Sequence, residues 1–158
     1  MIVLVMGVAG VGKTTIGEAL ARALGARFID ADDYHPPENV AKMKAGVPLG
    51  DEDRWPWLKC LNEELKKEQS AVLACSALKE SYRRRLAEGV KDFKVVYLHA
   101  SAALIRSRIA TRTHPYMPAA LLESQFAALE PPADAIAVDV AATPEQGVAA
   151  ILTGLRRS

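Results

Sequence analysis

The segment Gly7-Val8-Ala9-Gly10-Val11-Gly12-Lys13-Thr14 restricts this chain more than any other, because it carries the spacing GxxxxGK[ST] between an apolar run, Ile2 to Met6, and an amphipathic stretch. Glycines at these places let the backbone take angles that other residues resist, so successive N–H groups turn inward around an anion at the positive end of the next helix. Lys13 adds a mobile positive charge. Thr14 sets a hydroxyl where a Mg²⁺ bridging two phosphates finds an oxygen ligand. The expected nucleotide-binding residues are therefore Gly7, Val8, Ala9, Gly10, Val11, Gly12, Lys13, Thr14 and Thr15, and strand, loop and helix in that order open a parallel α/β sheet.

The remainder of the chain agrees with that opening. Short apolar runs at 2–6, 27–30, 71–75, 94–98 and 135–139 alternate with amphipathic stretches, as in a parallel sheet covered by helices on both faces. Ile16, Leu20, Ala23 and Leu24 recur at helical spacing, as do Leu104, Ile105 and Ile109, then Val148, Ile151, Leu152 and Leu155. The 158 residues suffice for one domain that buries about 68–70% of its unfolded surface. Neither repeats nor Gly/Ser linkers mark a second, so 1–158 reads as a single domain. Two stretches break the alternation: 31–57, rich in Asp, Pro and Trp, and 112–118, Arg-Thr-His-Pro-Tyr-Met-Pro. Each is a candidate ligand-facing excursion.

Charge narrows the partners. The 20 Lys and Arg nearly cancel the 19 Asp and Glu, so the strong positive field of a polynucleotide binder is missing and a small ligand is expected, with no nucleic acid. Cys60 and Cys75 form neither a CxxC nor a Cys/His cluster and read as reduced cytosolic thiols, Cys75 in the core. No apolar run approaches the roughly 18 residues needed to span a bilayer, and the run after Met1 lacks a basic leader and a cleavage pattern. A cytoplasmic protein without a membrane partner is expected.

The phosphate loop alone does not separate kinases from GTPases, motors or switches. A guanine-reading NKxD sequence is absent, since the asparagines Asn39 and Asn62 precede Val40 and Glu63. On the acceptor side, Asp30 and Asp32 stand two apart at the end of the second strand, where open α/β sheets bind ligands, and in a strand-like conformation they share one face. One carboxylate can hold Mg²⁺ through water while the other orients an attacking hydroxyl; a solvated acidic turn capping the next helix is the plainer alternative. Arg54 has the planar fork that clamps a substrate carboxylate. His35, taken alone, reads as a satisfied structural histidine. Arg106, Arg108 and Arg112 lie on one expected helix, with Arg108 and Arg112 on a common face, and arginines on a closing lid neutralise charge during phosphoryl transfer.

These residues resemble those of the gluconate kinases (gluconokinases), small ATP-dependent sugar-acid kinases of the shikimate-kinase-like P-loop fold. The likeness runs from Gly7–Thr14 through Asp30-Ala31-Asp32 with His35-Pro36, Asn39, Lys42-Met43, Gly46, Pro48-Leu49, Asp51, Asp53-Arg54 and Pro56-Trp57-Leu58. It continues in Cys75-Ser76-Ala77-Leu78-Lys79 with Tyr82-Arg83, then Ser124-Gln125-Phe126 and Leu129-Glu130-Pro131. It implies a three-layer α/β fold with a five-stranded parallel sheet in the order 2-3-1-4-5, flanked by helices, plus a short lid at 112–118. It also implies transfer of the ATP γ-phosphoryl group to the 6-hydroxyl of D-gluconate, with Mg²⁺, in a homodimer.

From the residues themselves Lys13, Asp32, Arg108 and Arg112 are expected to be catalytic, Arg112 also touching nucleotide, with Thr14 and Asp30 serving the metal. By the likeness Asp32, Arg54, Ser76 and Lys79 line the sugar-acid pocket, and His35 and Arg83 are expected beside them. The Gly-Gly-Gly turn of shikimate kinases is absent. The family's Gly-His-Phe segment is replaced by His114-Pro115-Tyr116, where Pro115 fixes its own φ and biases His114 toward extended angles. A stiffer hinge is expected, and the family histidine's role is not carried over. The alternatives are a kinase for another small polyol acid and a nucleotide-sensing protein without efficient transfer.

Overall fold

A computed structural model describes residues 1–111 and 119–157. The expected lid at 112–118, with Arg112 and the His114-Pro115 pair, lies outside the described residues. Five strands, β1 (Ile2–Met6), β2 (Arg27–Asp30), β3 (Ala71–Ala74), β4 (Phe93–His99) and β5 (Ile136–Asp139), form one sheet in the order β2-β3-β1-β4-β5, parallel at every pairing. This is the expected order. β1 lies at the centre, with Val3 opposite Val72 and Lys94, and Leu4 opposite Leu73 and Val95.

Successive β1 side chains point to opposite faces. Val3 and Val5 enter a core with Ile16 and Leu20 of α1 (Lys13–Leu24), Ile105 of α5 (Ala102–Thr111), Leu122 of α6 (Ala119–Ala128) and Ile151 of α7 (Pro144–Arg157). Ile2, Leu4 and Met6 enter a second core with Trp57, Leu58, Leu61 and Leu65 of α3 (Asp51–Lys66) and with Tyr82 and Leu86 of α4 (Glu80–Ala87). Burial on both faces is why β1 reads as an unbroken apolar run rather than an alternating one.

The excursion at 31–57, where Asp, Pro and Trp break the alternation in the sequence, is not irregular chain. It holds a 3-10 turn at Ala31–Tyr34, the helix α2 (Pro37–Lys44) and the first turns of α3. The same residues start helices instead: Pro37 opens α2 with a preset φ, and Asp51, Glu52 and Asp53 place negative charge at the positive end of α3. The Asp53 carboxylate closes a capping box on the Gly50 N–H at 2.9 Å and takes the Lys42 ammonium at 2.8 Å, which fixes α2 against α3. Pro56 sits inside α3 on its exposed side.

Candidate active site

The loop between β1 and α1 is shaped by close approach. A Cβ on Gly7 would lie 2.6 Å from the Leu98 carbonyl oxygen, so no side chain fits there. Gly12, which precedes α1, has φ near 90°, a left-handed conformation that costs a residue with a Cβ. Lys13 folds back over the loop and donates from Nζ to the carbonyls of Gly7 at 2.9 Å and Val8 at 3.1 Å. Burial lowers its pKa, while Asp32, Cys75 and Asp30 act in the opposite direction. The Ala9 N–H donates to Oε1 of Gln125 on α6 at 2.7 Å. Thr14 and Thr15 face solvent.

β2 stops at Asp30, so the two carboxylates do not extend along a strand. Asp30 Oδ1 accepts the Asp32 N–H at 3.0 Å and caps the 3-10 turn, which carries the Asp32 side chain out to 83% exposure. Burial raises the pKa of half-buried Asp30, opposed by the bond from Asp32 N–H. His35 is packed away at 3% exposure and stacked on Trp57, centroids 4.0 Å apart. Asn39 Nδ2 donates both to the Asp53 carbonyl at 2.9 Å and to His35 Nδ1 at 3.1 Å. Because a carbonyl only accepts, that atom is the amide nitrogen, and Nδ1 must then be the unprotonated ring nitrogen. The proton sits on Nε2, which faces Asp32 Oδ1 at 3.9 Å. Burial first, then the Arg54 charge, pushes the His35 pKa down to about 4, so the ring is a neutral donor rather than a cation.

Two of the predicted pocket cations, Arg54 and Lys79, meet around a residue assigned no role, Tyr82. Arg54 donates to the Leu49 carbonyl and, at 3.2 Å, to the Tyr82 hydroxyl, with its guanidinium 5.3 Å from the ring centroid. Tyr82 in turn donates to Asp51, and Lys79 reaches the same Asp51 oxygen at 3.1 Å. Asp51 thus occupies the anion position among these groups. Ser76 joins the site through its backbone, its carbonyl accepting the Gly7 N–H at 3.4 Å. Ala77 holds a positive φ of 44°, unusual for a residue with a Cβ. Arg83, expected to touch substrate, is buried and donates to the carbonyls of Ala77 at 2.8 Å, Leu78 at 3.1 Å and Glu130 at 2.8 Å. It builds the pocket wall.

On the other side of the loop a cleft of about 210 Å³ opens between Gly12 and Thr15 of the loop and α1, Val140 and Thr143 beyond β5, and Arg108. Arg108 donates to the Val140 carbonyl and so lies along its wall. The cleft continues from the phosphate loop and suits a nucleoside. Its Val140–Thr143 wall was not read from the sequence, although it follows the carboxyl end of a strand, where such sheets bind ligands. Cys75, behind the loop, has its thiol pushed up to about 12 by burial and is no nucleophile. Among the described residues no cluster of three or more His, Cys, Asp or Glu is placed to hold a metal. The Thr14 hydroxyl and the second Asp30 oxygen are hard donors of the kind Mg²⁺ takes when phosphates and water complete its shell.

The sequence model of the shikimate kinase family matches residues 9–146. A probable gluconokinase of Xenopus tropicalis is 44% identical over 162 residues, across 89% of this chain and 85% of its own. The thermosensitive gluconokinase of Escherichia coli K12 is 45% identical over 133 residues, across 82% of this chain and 71% of its own. A solved gluconokinase from Sinorhizobium meliloti 1021 superposes with a TM-score of 0.91 at 45% identity, covering 98% of this chain and 91% of that one.

Proposed function

Because this chain belongs to the shikimate kinase family and, within it, to the gluconokinases, we propose that it transfers the γ-phosphoryl group of ATP to the 6-hydroxyl of D-gluconate. The products are 6-phospho-D-gluconate and ADP. The observation that carries this reading is the placement of two half-sites beyond the carboxyl ends of strands of one sheet: Lys13 folded over the loop after β1, 2.9 Å from the Gly7 carbonyl, and the Asp32 carboxylate carried out to solvent after β2. Open parallel sheets bind ligands at that edge, the donor phosphates on the loop and the acceptor hydroxyl at the carboxylate.

In this mechanism the loop N–H groups and Lys13 hold the donor phosphates. Asp32, faced by the His35 Nε2–H, orients the acceptor hydroxyl and takes its proton as oxygen attacks the γ-phosphorus and the bond to the β,γ-bridging oxygen breaks. Arg54 and Lys79 receive the sugar-acid carboxylate, the reason to expect an acid rather than a neutral polyol. Arg108 adds positive charge from the nucleoside side, and Arg112, four residues on in sequence, is assigned the same task. Thr14 and Asp30 would hold Mg²⁺, which supplies charge neutralisation on the β- and γ-phosphate oxygens. Catalysis is positioning and electrostatics. A homodimer in the cytoplasm is part of the same reading, and light scattering on the purified protein tests the assembly.

The direct test is ADP release in the presence of a panel of sugar acids and neutral polyols. Gluconate is expected to stimulate release above the acceptor-free rate more than any other compound. Stimulation by a different acid alone would replace the substrate, and stimulation by none would favour a nucleotide-sensing protein.

A further inference from the structure

The sequence around Ser124-Gln125-Phe126 and Leu129-Glu130-Pro131 contributes to the family likeness yet has no place in the chemistry above. Its position is specific. At one end Gln125 Oε1 takes the Ala9 N–H, one of the loop donors, at 2.7 Å. At the other, Glu130 is bound three times to the acceptor wall: its N–H donates to the Leu78 carbonyl at 2.8 Å, its carbonyl accepts from Arg83 at 2.8 Å, and its carboxylate accepts the Glu80 N–H at 2.8 Å. Between them the Leu129 N–H donates to the Gln125 carbonyl at 3.0 Å, and the Leu129 side chain packs against both cores. The last turn of α6 and the two residues that follow it therefore join the donor loop to the acceptor wall.

Both half-sites are closed on the protein's own groups: Lys13 on the Gly7 and Val8 carbonyls, Ala9 on Gln125, and Lys79 with Tyr82 on Asp51. A phosphate oxygen is a stronger acceptor for the Ala9 N–H than a neutral carboxamide. We propose that Gln125 is a positioning residue that couples the two substrate sites: nucleotide phosphate takes the Ala9 N–H from Gln125 and frees the Gln125–Glu130 segment, so that the acceptor wall opens more readily. Each substrate then binds more tightly once the other is present, because the cost of releasing the segment falls only on the first to bind.

The inference rests on the two-substrate reading, and calorimetric titration separates the two. Gluconate is titrated into the wild-type protein with and without saturating Mg²⁺ and ADP, and into Gln125→Ala and Gln125→Glu under the same conditions. In the wild type ADP is expected to tighten gluconate by at least about fivefold, the lower end of ordinary coupling between sites. Gln125→Ala should bind gluconate without nucleotide as the wild type does with it, and the coupling factor should fall to about one. Gln125→Glu keeps an acceptor for Ala9 N–H but sets a negative charge against the phosphate, so ADP should weaken. Wild-type coupling within twofold of unity, or full coupling in Gln125→Ala, overturns the inference while leaving the kinase reading intact. Failure of the wild type to bind ADP or gluconate at all overturns both.

Discussion

Replacing Arg83 by Ala removes one guanidinium from three carbonyls, Ala77, Leu78 and Glu130, at a site where the residue is 7% exposed and water has little room to substitute. Hydrogen bonds from a charged donor contribute roughly 1.5–3 kcal/mol each. The three share one desolvated group, so they do not add freely, and their joint loss, with carbonyls left short of a donor, should come to about 3–5 kcal/mol, less than the full sum. At roughly 2–4 °C per kcal/mol for a domain of this size, the melting temperature should fall by about 6–20 °C. Urea unfolding followed by the fluorescence of Trp55 and Trp57 measures the free energy, and a thermal melt gives the midpoint. Arg83→Lys, with one ammonium in place of the fork, should recover part of the loss by serving the Ala77 and Leu78 carbonyls but not Glu130. A stability loss below about 1 kcal/mol together with a large rise in the KM for gluconate would refute this reasoning and return Arg83 to the direct substrate contact expected from sequence.

Further measurements address the site itself. Asp32→Asn should lower kcat by roughly 10²–10⁴-fold with ADP affinity unchanged within about twofold, and near-normal turnover would remove Asp32 from the chemistry. His35 is buried and neutral, with a folded pKa of about 4 below its ordinary value of 6.5. The unfolded chain therefore binds the extra proton first, so this contribution to stability is complete above pH 6.5 and is lost as pH falls toward 4. Unfolding free energies at pH 7.5 and 5 should differ less in His35→Gln than in the wild type; equal slopes would mean the ring is not held neutral. Asp51→Asn removes the internal anion from Lys79 and Tyr82 and should lower the gluconate KM by up to about fivefold, whereas a raised KM would show that Asp51 itself reads the sugar.

β1 and β3 were legible because strands buried on both faces of a parallel sheet demand continuous apolar runs, and the partly exposed edge strands β2 and β5 still keep a short apolar centre that marks them. The phosphate loop was legible because its glycines answer to local geometry: Gly7 faces a backbone oxygen and Gly12 a left-handed turn. The helices within 31–57 were not, since Pro and Asp both make turns and start helices and only the partners of Asp53 and Asn39 decide between the two. Arg83 and Arg54 look alike in sequence, yet one is walled in by carbonyls and the other lies against a tyrosine ring. Gln125 meets Ala9 across 116 residues, a separation that no local pattern encodes.

The contrast between the two thiols has a practical consequence. Cys75, buried behind the phosphate loop with its thiol pushed up to about 12 by that burial, stays protonated at neutral pH and is shut away from reagents, while Cys60 is exposed. The chain thus comes with one usable attachment point, on the helix whose first turn carries Asp51 and Arg54. A dye placed on Cys60 labels that helix at a single site in the protein's own sequence. Oxidants that reach the molecule are drawn to the same outer sulfur, and the phosphate loop is spared.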